Sequence, residues 1–215
     1  MLDSKCSPFE QEMRRRLWAT IVELEFQASV DRGMASSLTT MHVNCRRPLN
    51  INDDSFGHDS RQLPPPIPSS EYTATSFLHI SSNSLSLRTS LCSLINDPRS
   101  NLQYEDVLRY EQKIMQALEE IPCWPENGLH ASILLDLQLR QFLLMLHTPF
   151  AARRTKSSQY RYSRIICFET SAHILDQHSK LTSSGNFALC LSREDVFRAA
   201  LSICHNTFLT CLTPS

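Results

Sequence analysis

The stretch SPFEQEMRRRLWATIVELEFQASVDRG, residues 7–33, decides how the rest of the chain is read. Ser7-Pro8-Phe9-Glu10 is a complete helix start: Ser7 as N-cap, Pro8 at the first helical position, and Glu10 placed to close a capping box. Phe9, Met13, Leu17, Ile21, Leu24 and Ala28 then recur along one helix face. Trp18, Val22 and Phe26 form a second stripe on roughly the opposite side. A helix apolar on two sides is normally sandwiched between neighbours. Gly33 is a natural stop. The pattern predicts one long helix over 8–32 with partners on both sides.

Composition extends that helix to the whole fold. The 215 residues are 41% hydrophobic and 20% charged, a globular profile. Only 4 glycines occur, and sheets and phosphate-cradling loops both depend on glycine. No dinucleotide fingerprint or P-loop is present. Helical periodicity recurs over about 75–96, 102–120, 129–147, 158–181 and 193–211, with Leu87, Leu91, Leu94 and Ile95 the clearest stripe of the first of these. Residues 129–147, LHASILLDLQLRQFLLMLH, are the best core candidate, and Pro149 is expected to end that helix. CWPENG, residues 123–128, reads as a turn. Residues 33–72 are rich in Pro, Asn, Asp and Ser, and Pro64, Pro65, Pro66 and Pro68 forbid a helix there. The expected fold is all-α, an irregular multi-helix bundle with a long Pro-rich loop (33–72) after the first helix, forming one domain over 1–215.

Charge and motifs narrow the chemistry. Formal net charge is −1, whereas a dedicated nucleic-acid-binding domain is usually strongly basic. Arg14, Arg15 and Arg16 step by 100° around the helix and cannot form one patch. Glu10 and Glu12 stand four residues before Arg14 and Arg16, an orientation that favours exposed pairs worth a few tenths of a kcal/mol each, roughly. Arg15 falls beside Trp18 and is expected to be partly buried. A second basic cluster, Arg153, Arg154, Lys156, Arg161 and Arg164 with Tyr160 and Tyr162, reads as a solvated loop and helix start with a weak nuclear-import role rather than a DNA contact.

The 8 cysteines, at 6, 45, 92, 123, 167, 190, 204 and 211, contain no CxxC pair and read as buried or semi-buried free thiols in a reducing compartment. His173 and His178 are five apart, off the spacing that shares a helix face, and His42 and His58 fall in the loop. No catalytic, cofactor-binding or metal residue is assigned, and no DNA-binding residue is identified. The N-terminus lacks a signal-peptide pattern, and no continuous apolar run approaches the length that spans a bilayer, about 20 residues. The expectation is a soluble intracellular protein without enzymatic activity.

An ordered series of motifs supplies more. Phe9, Glu10, Glu12 through Trp18, then Pro48 through Asp53 within RPLNINDDSF, then LPPP, then His147, Pro149 and Phe150 within LHTPF, resemble the fungal-specific transcription factor domain, or middle homology region, of zinc binuclear cluster regulators. The match is specific over the first 55 residues and co-linear to about residue 150. Ala19 stands where the family has a second aromatic, Glu25 where Asp is common, and Thr148 where Arg is usual. The resemblance implies an all-α regulatory fold acting in the nucleus through other parts of a full-length regulator or partner proteins, with no membrane role and an effector it does not specify. It places DNA binding and zinc in an N-terminal six-cysteine cluster that this sequence lacks, so no cofactor is expected here. It also implies a partial domain, since the family has helices before the SPFE element. A helical ligand-binding or protein-interaction module without a transcriptional role is the alternative.

Overall fold

In the computed structural model of the chain, residues 6–40, 45–153, 158–185 and 193–212 are described. Six α-helices occur among them and no strand: α1 (Pro8–Asp31), α2 (Ser76–Asn96), α3 (Tyr104–Glu119), α4 (Leu129–Ala151), α5 (Ser158–Ser183) and α6 (Asp195–Leu212). Short 3-10 turns lie at Ser37–Thr40, Asp53–Ser55 and Glu126–Gly128. The all-α expectation holds, and helix bounds fall close to those read from periodicity.

Local chemistry accounts for the ends. The capping box of α1 forms in full: Glu10 N–H donates to Ser7 Oγ at 3.2 Å, and Ser7 N–H donates to Glu10 Oε2 at 2.9 Å. After α1, Gly33 takes φ +63°, a left-handed value that suits only glycine without strain. α4 departs from expectation. It runs through Pro149 to Ala151. A proline costs a helix one N–H, but here it sits in the last turn, and Ala152 N–H donates to Thr148 O at 3.1 Å to close the end.

The chain forms two compact units, Met1–Ser90 with Ile121–Leu135, and Leu91–Glu120 with Asp136–Ser215. In the first, Ile80, Trp124, Ala131 and Leu135 cluster with Tyr72, Phe77 and Ile121 against them. Gly128 is obligatory there, because a Cβ would come within 2.5 Å of Trp124 Cβ. In the second, Ile114, Leu137, Phe142, Leu146, Cys167, Ile174 and Leu181 are buried, and α5 packs along α6. By length and composition Glu126–Ala151 could cross a bilayer, contrary to the expectation from uninterrupted runs. However, 61% of its most apolar window is buried inside the protein, as in a core helix.

Candidate functional site

Two motif residues of α1, Glu12 and Arg16, face inward. Glu12 is fully buried, and Arg16 is nearly so. Glu12 Oε1 accepts from Leu49 N–H at 2.9 Å and from Arg16 Nε at 3.4 Å, while its Oε2 accepts from Arg15 at 3.3 Å. Arg16 also pairs with Asp53, donates to Ile51 O at 3.4 Å and lies 4.9 Å over the Phe56 ring. The expected exposed pair Glu12–Arg16 is thus a buried clasp on residues 49–56. Sequence spacing marked the pair; only the fold supplies its third partner. Glu10 is engaged by the cap rather than paired with Arg14, which is exposed. Arg15 is half-buried beside Trp18, as its position suggested.

The second motif, Pro48 to Asp53, is a hydrogen-bond hub. Asn50 Nδ2 donates to Ile67 O, Pro68 O and Glu71 O at 3.1–3.2 Å. Its Oδ1 accepts from Thr73 Oγ1 at 2.7 Å and Ser76 Oγ at 2.8 Å. Thr75 Oγ1 donates to Leu49 O, and His79 Nδ1 lies 2.8 Å from Pro48 O. A proline-rich segment has few N–H donors of its own, so its carbonyls are satisfied by a side chain from the motif.

A third group was not foreseen. Arg88 of α2 is fully buried and grips Glu23 of α1 with both ends of its fork, at 2.9 and 2.7 Å. Ser81 Oγ donates to Glu23 Oε1 at 2.6 Å, and Arg88 stacks 5.1 Å over Phe26. The signal was present: Arg88 is the one Lys, Arg, Asp or Glu in α2.

Glu25 ties the chain after α1 through Ser36 and Ser37. Burial would raise its pKa, but the donors of Ser37, Ser36 and Ser29 outweigh that and hold it below the ordinary value.

In the second unit two arginines of the basic–aromatic cluster, Arg153 and Arg164, are engaged internally, while Arg161 is exposed. Arg153 lies 4.9 Å over Phe150 and donates to Tyr160 Oη at 3.0 Å. Arg164 donates to Ala151 O and Arg153 O, capping the end of α4. Tyr162 donates to Glu111 at 2.6 Å; burial, then that carboxylate, pushes its hydroxyl up to about 12. Arg154 and Lys156, like His42 and Cys190, lie outside the described residues.

His147 of LHTPF is fully buried, with Nδ1 3.1 Å from Ser163 Oγ and Nε2 3.4 Å from Glu111. Burial lowers its pKa, and Glu111 only partly restores it. His173 meets Asp136 at 2.8 Å, and His178 meets Asp195 at 2.9 Å. Burial would raise the Asp195 carboxyl, but His178 and Arg193 hold it at about 2. His58 stacks on Phe9. Among the described residues no cluster of three or more His, Cys, Asp or Glu could hold a metal ion.

Two surfaces stay open within the units. On α1, Met13, Leu17, Ile21 and Leu24 are exposed, with Leu17 at 63% and Leu24 at 68%. The stripe on which the helix was first recognised is therefore the outer face. In the second unit an apolar cleft of about 450 Å³ is lined by α4, α5 and α6 with Ile95.

The fold and these clasps can be set beside known proteins. Transcription factor lepE of Aspergillus flavus is 31% identical over 222 aligned positions, covering 95% of this chain and 26% of the relative. Transcription factor opdR of Penicillium oxalicum is 28% identical over 194 positions, covering 82% of this chain and 24% of the relative. The Zn(2)-C6 fungal-type transcription factor mpsB of Macrophomina phaseolina is 25% identical over 217 positions, covering 91% of this chain and 29% of the relative. Most of the chain is similar to a stretch of fungal transcription factors. The chain spans about a quarter of the length of these curated relatives. No family model matches the chain. No solved structure matches it either. The relatives are regulators rather than enzymes.

Proposed function

We propose that this chain is one partial regulatory domain of a fungal transcription factor that works in the nucleus through helix contacts, without chemistry of its own. The observation that carries the reading is the co-linear similarity to transcription factors over most of the chain. The placement of the resembling motifs supports it: Glu12, Arg16, Asn50 and His147 brace the fold rather than line a reactive centre. DNA contact is assigned to the zinc cluster that the family carries and this sequence lacks; the engagement of Arg15, Arg16, Arg153 and Arg164 in clasps, a helix end and ring contacts supports that reading. The outer α1 stripe is the face offered to further helices of the regulator; the length of the relatives beyond the matched stretch supports this occupant.

The test is a reporter assay in a fungal host. A heterologous DNA-binding domain and activation domain are joined with residues 1–215 between them, and output is compared with the same fusion lacking the chain. A several-fold change in output, lost on Arg88→Ala, supports regulation; unchanged output contradicts it. A mobility-shift titration of the isolated chain is expected to give only weak, salt-sensitive DNA binding.

A further inference from the structure

The first unit also holds a cleft of about 410 Å³, lined by Trp18 of the first sequence motif and Pro48 of the second, and its volume falls within the range of small-molecule sites. Val22 of α1 and Leu78 and Leu85 of α2 add apolar lining. Val22 is buried, but Trp18 is only half-buried, so the indole keeps uncovered surface. Arg46 and Arg47 also line the cleft, and both are exposed. Arg47 Nη1 donates to Asn83 Oδ1 at 2.9 Å, a neutral acceptor that places the guanidinium without neutralising it. The Arg46 side chain makes no hydrogen bond or ion pair among the described residues. Among the described residues the lining holds one carboxylate, Glu23, and Arg88 and Ser81 already grip it. The remaining arginine of the lining, Arg15, is paired with Glu12. The cleft therefore combines an aromatic and apolar lining with two guanidiniums that no carboxylate neutralises.

We propose that this cleft binds a small aromatic carboxylate, its ring against Trp18, Leu78 and Leu85 and its carboxylate at Arg46 and Arg47. A neutral arene would use the apolar lining alone. An inorganic anion would use the arginines alone. An aromatic cation would meet two guanidiniums of like sign, and the one acid of the lining is already held. An aromatic carboxylate uses every part, because rings pack favourably on an indole and a guanidinium fork matches the two oxygens of a carboxylate. The inference goes beyond the regulatory reading and stands without it.

Calorimetric titration of the full 215-residue chain with 2-naphthoate, 2-naphthalenemethanol, 2-naphthylmethylammonium and inorganic phosphate, each alone, tests it. The naphthoate is expected to bind one to one and about tenfold more tightly than the alcohol, with the ammonium and phosphate weaker than either. Arg46→Gln with Arg47→Gln, both at exposed positions and so of little risk to folding, is expected to erase the preference for naphthoate over the alcohol. Trp18→Leu is expected to weaken the naphthoate and the alcohol alike, about tenfold. Arg161→Gln, an exposed arginine of the second unit, is expected to change neither. The inference is overturned if naphthoate fails to bind at millimolar concentration, if the ammonium or phosphate binds as well as the acid, or if naphthoate affinity is unchanged in the double variant. Because no reporter enters the measurement, its failure is distinct from failure of the regulatory reading.

Discussion

The two sides of α1 differ in a way that runs against the usual expectation. Its outward side is apolar: Met13, Leu17, Ile21 and Leu24. Its inward side carries Glu12, Arg16 and Glu23 among Val22, Phe26 and Val30. Burying a carboxylate is costly unless a cation and further donors meet it. Here they do: Arg16 and Leu49 N–H for Glu12, Arg88 and Ser81 for Glu23. Apolar periodicity therefore marks a face that wants cover, without saying which part of a protein covers it. The inner face is specified by geometry rather than by greasiness, since a buried ion pair tolerates few alternative arrangements.

Breaking the inner face should have the largest effect. Arg88→Ala leaves Glu23 buried without its cation and is expected to destabilise the chain by about 3–5 kcal/mol in urea unfolding. Replacing both partners by apolar residues, Glu23→Leu with Arg88→Met, is expected to recover most of that loss, because the penalty lies in the orphaned charge. Asn50→Ala removes the side-chain donor shared by the Ile67, Pro68 and Glu71 carbonyls, of which Pro68 O keeps the Glu71 N–H, and should cost about 2–3 kcal/mol, with the loss of protection concentrated at residues 67–76 in hydrogen exchange.

Acid sharpens the contrast from the second unit. His147 is held neutral by burial, so its folded pKa lies below the ordinary 6.5. The unfolded chain then takes up that proton first, and stability falls as pH drops through 6.5. His147→Gln should flatten the dependence of Tm on pH between about 6.5 and 5. Asp195 acts in the other window. Its carboxyl is lowered from 3.8 to about 2, so its stabilisation is present above 3.8 and is lost as pH falls towards 2. The smallest effect is expected on the outer face. Leu17→Gln with Leu24→Gln should leave unfolding free energy within about 0.5 kcal/mol. The same pair should reduce self-association in sedimentation velocity, because it breaks up an exposed apolar stripe.

How much was legible depended on the range of the interaction. Helix positions followed from contacts within a turn: the Ser7–Glu10 box, the Gly33 stop, and the periodicity of 129–147. Pro149 misled because a proline forbids a helix interior but is tolerated where few hydrogen bonds remain to lose. The Glu12–Arg16 spacing was visible, yet its burial was not, since Asp53 and Leu49 reach it from more than 30 residues away. Arg88 and Glu23 lie 65 apart in sequence, and no local pattern joins them. The cleft of the second unit was invisible for the same reason: its walls come from α4, α5, α6 and Ile95 of α2, residues far apart in sequence.

The claim that α1 turns its charges inward and its apolar stripe outward can be tested residue by residue. Single replacements Leu17→Cys and Phe26→Cys, labelled with iodoacetamide in the dilute chain and read at peptide level by mass spectrometry, report the two faces directly. The account predicts labelling of Leu17→Cys at the rate of an unstructured thiol and protection of Phe26→Cys by a factor of about 100 or more, because the site at 26 reacts only on opening. Equal labelling of the two sites, or protection of Leu17→Cys with reaction at Phe26→Cys, would contradict it.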